Sequence, residues 1–259
     1  MAPAAPDSSE WRFPNRVTPL GSGWYYAVRF CAPRQRERNA LLLAWYRVIF
    51  DIAEQAKDPG VARLKLDWWR DELTRVWRQQ ARHPLALELQ TLGLGTHSKP
   101  HMDALIDAAE AQLRAPTPID EAAFAAACRG GFGRFFMLIA AVEKGQADPL
   151  SCVELGGYCV AVDRVRHLAQ TPQHLPRSFQ PGAVSRLTPE QRREAFDRLL
   201  RTFEQPSADE LPALPELSRR LTALSTAMQR KMQRKAYPVT ESFVDRAPIA
   251  KLWTAWRCA

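Results

Sequence analysis

No stretch of the 259-residue chain alternates strictly between apolar and polar residues within turn signals, so half-buried strands are not expected. Glycine is sparse, twelve residues mostly at segment ends. A run of about eighteen apolar residues is also missing, and no membrane-spanning helix is expected. The five cysteines (Cys31, Cys128, Cys152, Cys159 and Cys258) are odd in number and show no C-x-x-C spacing. That disfavours a disulfide framework and a structural zinc site, and leaves buried or spare thiols in a reducing cytoplasm. The opening MAPAAPDSSEW has neither a basic nor an apolar leader region, and residues 1–18 read as a short disordered tail rather than a signal peptide.

What the chain does contain is helix-forming sequence. Ala, Leu, Arg, Glu and Gln dominate the segments between prolines. Aromatic-rich GWYYAVRF precedes a helix expected from Pro33 to about Gln55, with Leu41, Leu42, Trp45, Ile49 and Ile52 on its apolar face. Asp58-Pro59-Gly60 breaks the chain before VARLKLDWWRDELTRVWRQQ. Shorter helices follow from His83-Pro84 and from Pro100 to Leu113. Asp120–Glu143 is strongly apolar, with Gly130-Gly131-Phe132-Gly133 in its middle, a cluster that suits either close helix packing or backbone beside a ligand. Asp148-Pro149 opens the next helix, and further helices are expected over Pro189–Phe203, Leu214–Lys235 and Val239–Trp256. The predicted fold is all-α, one domain over residues 19–259.

The net charge of +8 admits nucleic acid, an anionic membrane surface or phosphorylated ligands as partners. Its arginines are scattered along helices without a nucleic-acid-binding signature, which disfavours nucleic acid.

Two helices carry candidate chemistry. In RVIFDIAE, Asp51 and Glu54 stand at i and i+3, so both carboxylates can reach one point; Phe50 takes the remaining place on that face. In the later helix Asp163 and His167 stand at i and i+4, flanked by Arg164 and Arg166. Facing carboxylates suit Mg²⁺ completed by a substrate phosphate. Imidazole suits softer ions.

In order, GWYYAVRF, PRQRERNALLLAWYRVIFDIAE, RLKLDWWRDEL, HPLALEL, GGFG, LGGYCVAVDRVRHL and DRAPIAKLW resemble the squalene/phytoene synthase family from about Gly21 to Trp256. The resemblance implies an isoprenoid-synthase-like bundle of helices around a central cavity. It also implies Mg²⁺-assisted joining of two prenyl diphosphates. Asp51, Glu54 and Asp163, with His167 as a further candidate, would be the metal ligands. Tyr25, Tyr26, Arg29, Arg47 and Arg166 would line the cavity and meet the diphosphate or the acidic faces.

The family pattern is eroded at these positions. Phe50 and Glu54 stand where aspartates are expected, His167 replaces an aspartate, Val160 a glutamine and Phe124 a tyrosine. The later loop keeps only His174-Leu175-Pro176. Phe50 is expected to crowd the mouth of the site, and Arg164 and Arg166 to pair with Asp51 and Glu54 across the cavity. The resemblance therefore leads to an isoprenoid- or lipid-binding or assembly-type pseudoenzyme, similar to a respiratory complex I assembly factor branch. Such a protein would have a protein partner and peripheral contact with the inner face of a membrane. The alternative is an active Mg²⁺-dependent prenyltransferase.

Overall fold

The computed structural model describes residues 8–143, 148–204 and 213–258, and all regular structure among them is helical. The chain runs through α1 (Gly23–Arg29), α2 (Pro33–Glu54), α3 (Pro59–Trp77), α4 (Pro84–Thr91), α5 (Lys99–Arg114) and α6 (Glu121–Cys128). A π-helical turn, Arg129–Gly133, joins α6 to α7 (Arg134–Glu143). Then come α8 (Pro149–Arg166), short α9 (Pro181–Val184), α10 (Pro189–Leu200), α11 (Glu216–Arg234) and α12 (Pro248–Trp256).

Most boundaries have a local cause. Proline opens α2, α3, α4, α8, α9, α10 and α12, where its missing N–H costs nothing. Asp58, Asp120 and Asp148 cap α3, α6 and α8 by accepting from first-turn N–H groups. The last helix starts later than its expected Val239, because Val239–Ala247 forms no helix and Pro248 supplies the start.

The amino-terminal expectation needs correcting as well. Residues 1–7 lie outside the described residues, but the segment from Trp11 to Thr18 is anchored, with Trp11, Asn15 and Thr18 buried. The Asn15 amide donates to the carbonyls of Trp11 (2.9 Å) and of Ala40 on α2 (3.2 Å). A buried amide with both donors used fixes this segment against the bundle.

One apolar cluster runs through the molecule, with Trp45, Phe124, Phe135, Phe136 and Ile49 fully buried. Cys31, Cys128, Cys152 and Cys159 are buried free thiols within it. Glu121–Glu143 has the length and apolarity to cross a membrane (23 residues, mean hydropathy 1.3), contrary to the expectation above. Its Phe124, Cys128, Phe135, Phe136 and Ile139 are fully buried in the core, so it serves as a central element.

The glycines of this region let two backbones touch. A Cβ on Gly156 of α8 would lie 2.3 Å from the Phe132 carbonyl oxygen, and one on Gly133 would lie 2.5 Å from that of Val153. The cluster is thus explained by packing of the π turn on α8. The sequence DWWRDEL is likewise structural here. Arg70 bonds Asp107 and Glu110 at 2.8 Å each, fastening α3 to α5. Glu72, fully buried, accepts from the N–H groups of Arg82 (2.5 Å) and His83 (2.7 Å) and from Arg75 (3.0 Å), tying α3 to the start of α4.

Candidate functional site

A cavity of about 890 Å³ opens between α2, α8 and α11 and is flanked by residues 16–24 and 245–251. Its apolar wall includes Trp24, Tyr46, Phe132, Leu221, Leu224 and Met228. The Trp24 and Phe132 rings stack at 5.7 Å, and Tyr46 meets Phe132 edge-on at 5.1 Å. The polar wall holds Arg47, Asp51, Glu54, Asp163, Arg166 and His167, so both candidate helices do face one space.

Asp51 and Glu54 do converge on a point, and a guanidinium nitrogen occupies it. Arg47 Nη2 lies 2.5 Å from Asp51 Oδ1 and 2.7 Å from Glu54 Oε2. Arg47 stands four residues before Asp51 and seven before Glu54, so the three share one helix face. The neutralising cation therefore comes from the same helix. Arg164 turns instead to Cys128 Sγ (3.5 Å) and Gln112 Oε1 (3.2 Å), buried and with no carboxylate partner among the described residues.

Across the cavity, His167 Nδ1 lies 3.3 Å from Asp163 Oδ1 and 2.8 Å from the Asp163 carbonyl oxygen. Partial desolvation by the cavity walls opposes ionisation of Asp163, whose side chain is still exposed, but His167 and Arg166 outweigh it and hold the carboxyl below its ordinary range. Burial likewise opposes charge on His167, yet Asp163 raises its pKa above the ordinary histidine value. Arg166 reaches Asp163 (3.7 Å) and Asp245 (3.4 Å), donates to the Val244 carbonyl (2.9 Å), and lies over the Phe243 ring at 4.4 Å. Lys251 completes the chain, bonding Asp245 at 2.7 Å and the Gly21 carbonyl at 3.0 Å. Asp245 and Lys251, both within DRAPIAKLW, have no role legible in the sequence, because their six-residue spacing across a helix start hides the contact.

Three expected cavity residues lie elsewhere. Tyr25 stacks on Phe13 at 5.2 Å, Tyr26 stands edge-on to Tyr25, and Arg29 is exposed; none lines the cavity. Helix α1 presents Trp24 instead, one residue earlier. Phe50 does not crowd the mouth. It is buried in the core, stacked on Tyr46 at 4.5 Å, and its ring passes 3.3 Å from where a Cβ on Gly131 would stand. Gly131 provides the room for this phenylalanine.

The donor set does not fit the Mg²⁺ implied for such a cavity. Among the described residues no group of three His, Cys, Asp or Glu side chains is placed to hold an ion. Mg²⁺ needs several oxygens near octahedral geometry, and here Arg47 and His167 already hold the carboxylates. The cavity does suit an anion. Arg16, Arg47, Arg164, Arg166, Arg246 and Lys251 line it against four carboxylates, Asp51, Glu54, Asp163 and Asp245.

No curated protein matches the chain significantly. The squalene/phytoene synthase family profile matches residues 20–177, a span that includes both acidic faces and ends before α10, α11 and α12. That match covers more than half of the sequence, and with an all-helical bundle around a cavity where the two acidic faces meet, the chain belongs to the squalene/phytoene synthase family.

Proposed function

We propose that this protein binds a prenyl diphosphate or a related isoprenoid lipid in the cavity and has lost, or retains only weakly, the head-to-head condensation of its family. The observation that carries the proposal is Arg47, whose one nitrogen takes the place between Asp51 and Glu54 that an ion would need. A guanidinium there is a permanent charge: burial opposes it, but Glu54 and Asp51 hold its pKa above the already high arginine value. It neutralises the carboxylates without polarising a leaving group. The cationic excess and buried Arg164 favour an anionic head, and the wall of Trp24, Tyr46 and Phe132 favours an apolar tail. A binding or assembly role follows more naturally from such a cavity than ionisation of two diphosphates.

The test is purified protein with farnesyl or geranylgeranyl diphosphate and Mg²⁺ or Mn²⁺. The expected result is a rise in melting temperature with the diphosphate and no pyrophosphate release. Release that disappears in Asp163→Ala would overturn the proposal.

A further inference from the structure

Helix α12 is built inside out. Lys251 and Ala255 are its buried positions, whereas Ile249, Leu252, Trp253 and Trp256 are exposed by 76, 39, 55 and 50 %. Those four stand at i, i+3, i+4 and i+7, which is one continuous helix face. The inner face is accounted for: Lys251 bonds Asp245 and the Gly21 carbonyl and lines the cavity. The outer face has no partner among the described residues. Leu20, 75 % exposed, adjoins the Gly21 that Lys251 grips, and Leu20 also lines the cavity. The apolar face thus continues to the cavity rim.

The charge around this face is predominantly positive. No carboxylate occurs from Arg246 to Cys258, and none between Glu216 and Glu241 on the α11 side. Residues 213–258 carry nine Lys and Arg against three Asp and Glu, and two of those three are held by Lys251, Arg166 or Arg220. Arg257 is exposed at the end of α12.

We propose that the outer face of α12 docks on an anionic lipid bilayer, with Trp253 and Trp256 at the headgroup level and the surrounding arginines against lipid phosphates. Tryptophan suits that depth because its ring is apolar and its N–H still finds a polar partner. A helix lying in the interface draws its affinity from buried apolar area together with attraction to anionic lipid. A protein partner or a second copy would bury the same tryptophans but would not require the excess of positive charge around them. Docking here would also set the cavity rim at Leu20 against the bilayer. The surface itself depends on no particular ligand, so this inference stands apart from the proposed function.

The experiment is co-sedimentation of the full chain with phosphatidylcholine vesicles, with and without about a third phosphatidylglycerol. Binding is expected to anionic vesicles, to weaken in raised salt, and to fall about tenfold or more in Trp253→Ser/Trp256→Ser. Half-exposed side chains leave the core intact, so circular dichroism and melting temperature of that variant should match the parent. Arg257→Glu provides a second, purely surface variant, expected to weaken anionic but not neutral binding. Absence of vesicle binding by the parent, or equal binding by both variants, overturns the proposal. So does a dimer in light scattering that dissociates in the tryptophan variant while vesicles bind neither protein.

Discussion

Glu72 on α3 and the Asp51–Glu54 pair on α2 are carboxylates of neighbouring helices, held in opposite ways. Glu72 is fully buried and takes two main-chain N–H donors as well as Arg75. Although burial alone would raise its pKa, those donors hold it below the ordinary glutamate value. Asp51 and Glu54 stand at a cavity wall and are held by side chains alone, Arg47 on both and the Gln55 amide donating to Asp51 at 3.1 Å. A carboxylate tied to backbone amides is committed to the fold, because nothing can rotate away. One tied to a flexible guanidinium is committed only while that side chain stays.

The largest expected effect follows from the committed carboxylate. Glu72→Ala should cost about 3 kcal/mol in urea denaturation, since two buried N–H groups lose their acceptor. Glu72→Gln, which keeps an acceptor oxygen, should cost about half of that. If Glu72→Ala changes stability by no more than a surface substitution does, the contrast collapses. Next comes the releasable pair. Arg47→Ala should alter stability by less than about 1 kcal/mol, because the ion pair is part-exposed. The same change should tighten Mn²⁺ binding about tenfold by calorimetry, as the competing charge is gone. Unchanged Mn²⁺ affinity would mean that something other than Arg47 keeps ions from this wall.

The smallest effect concerns Asp163 and His167. The Asp163 pKa is lowered and the His167 pKa raised on folding, so the pair stabilises only while Asp163 is ionised and His167 protonated. Its contribution is present below the ordinary histidine value of 6.5 and disappears as pH rises through the higher folded value. At the acid end it is lost as pH falls through the depressed Asp163 value. His167→Gln should therefore flatten the decline in melting temperature above pH 6.5. A slope identical in both proteins would place the pH dependence elsewhere.

The helical frame was legible because Asp58, Asp120, Asp148 and the prolines mark helix starts by local chemistry that tertiary contacts do not override. The convergence of the two acidic faces on one cavity was legible too, from i, i+3 and i, i+4 spacing within a family pattern. Arg47 is expected at the diphosphate or at the acidic faces, and its place four and seven residues before Asp51 and Glu54 agrees with the second. Phe50 was misplaced because its pocket is made by Gly131, far along the chain. Tyr25 and Tyr26 were misplaced because one residue of rotation on a seven-residue helix decides which aromatic faces inward. The Asp245–Lys251 link spans a non-helical segment, where periodicity carries no signal.

The contact between the π turn and α8 has a consequence for size. Phe132 presents its ring to the cavity, while its carbonyl oxygen lies so near Gly156 that a methyl group there would collide with it. Side-chain walls can yield to a longer guest by changing rotamer, whereas a ring anchored on abutting main chains has little travel. The depth available to a tail is therefore gauged by backbone geometry at this point, and a longer tail would have to be accommodated by trimming Trp24 or Tyr46.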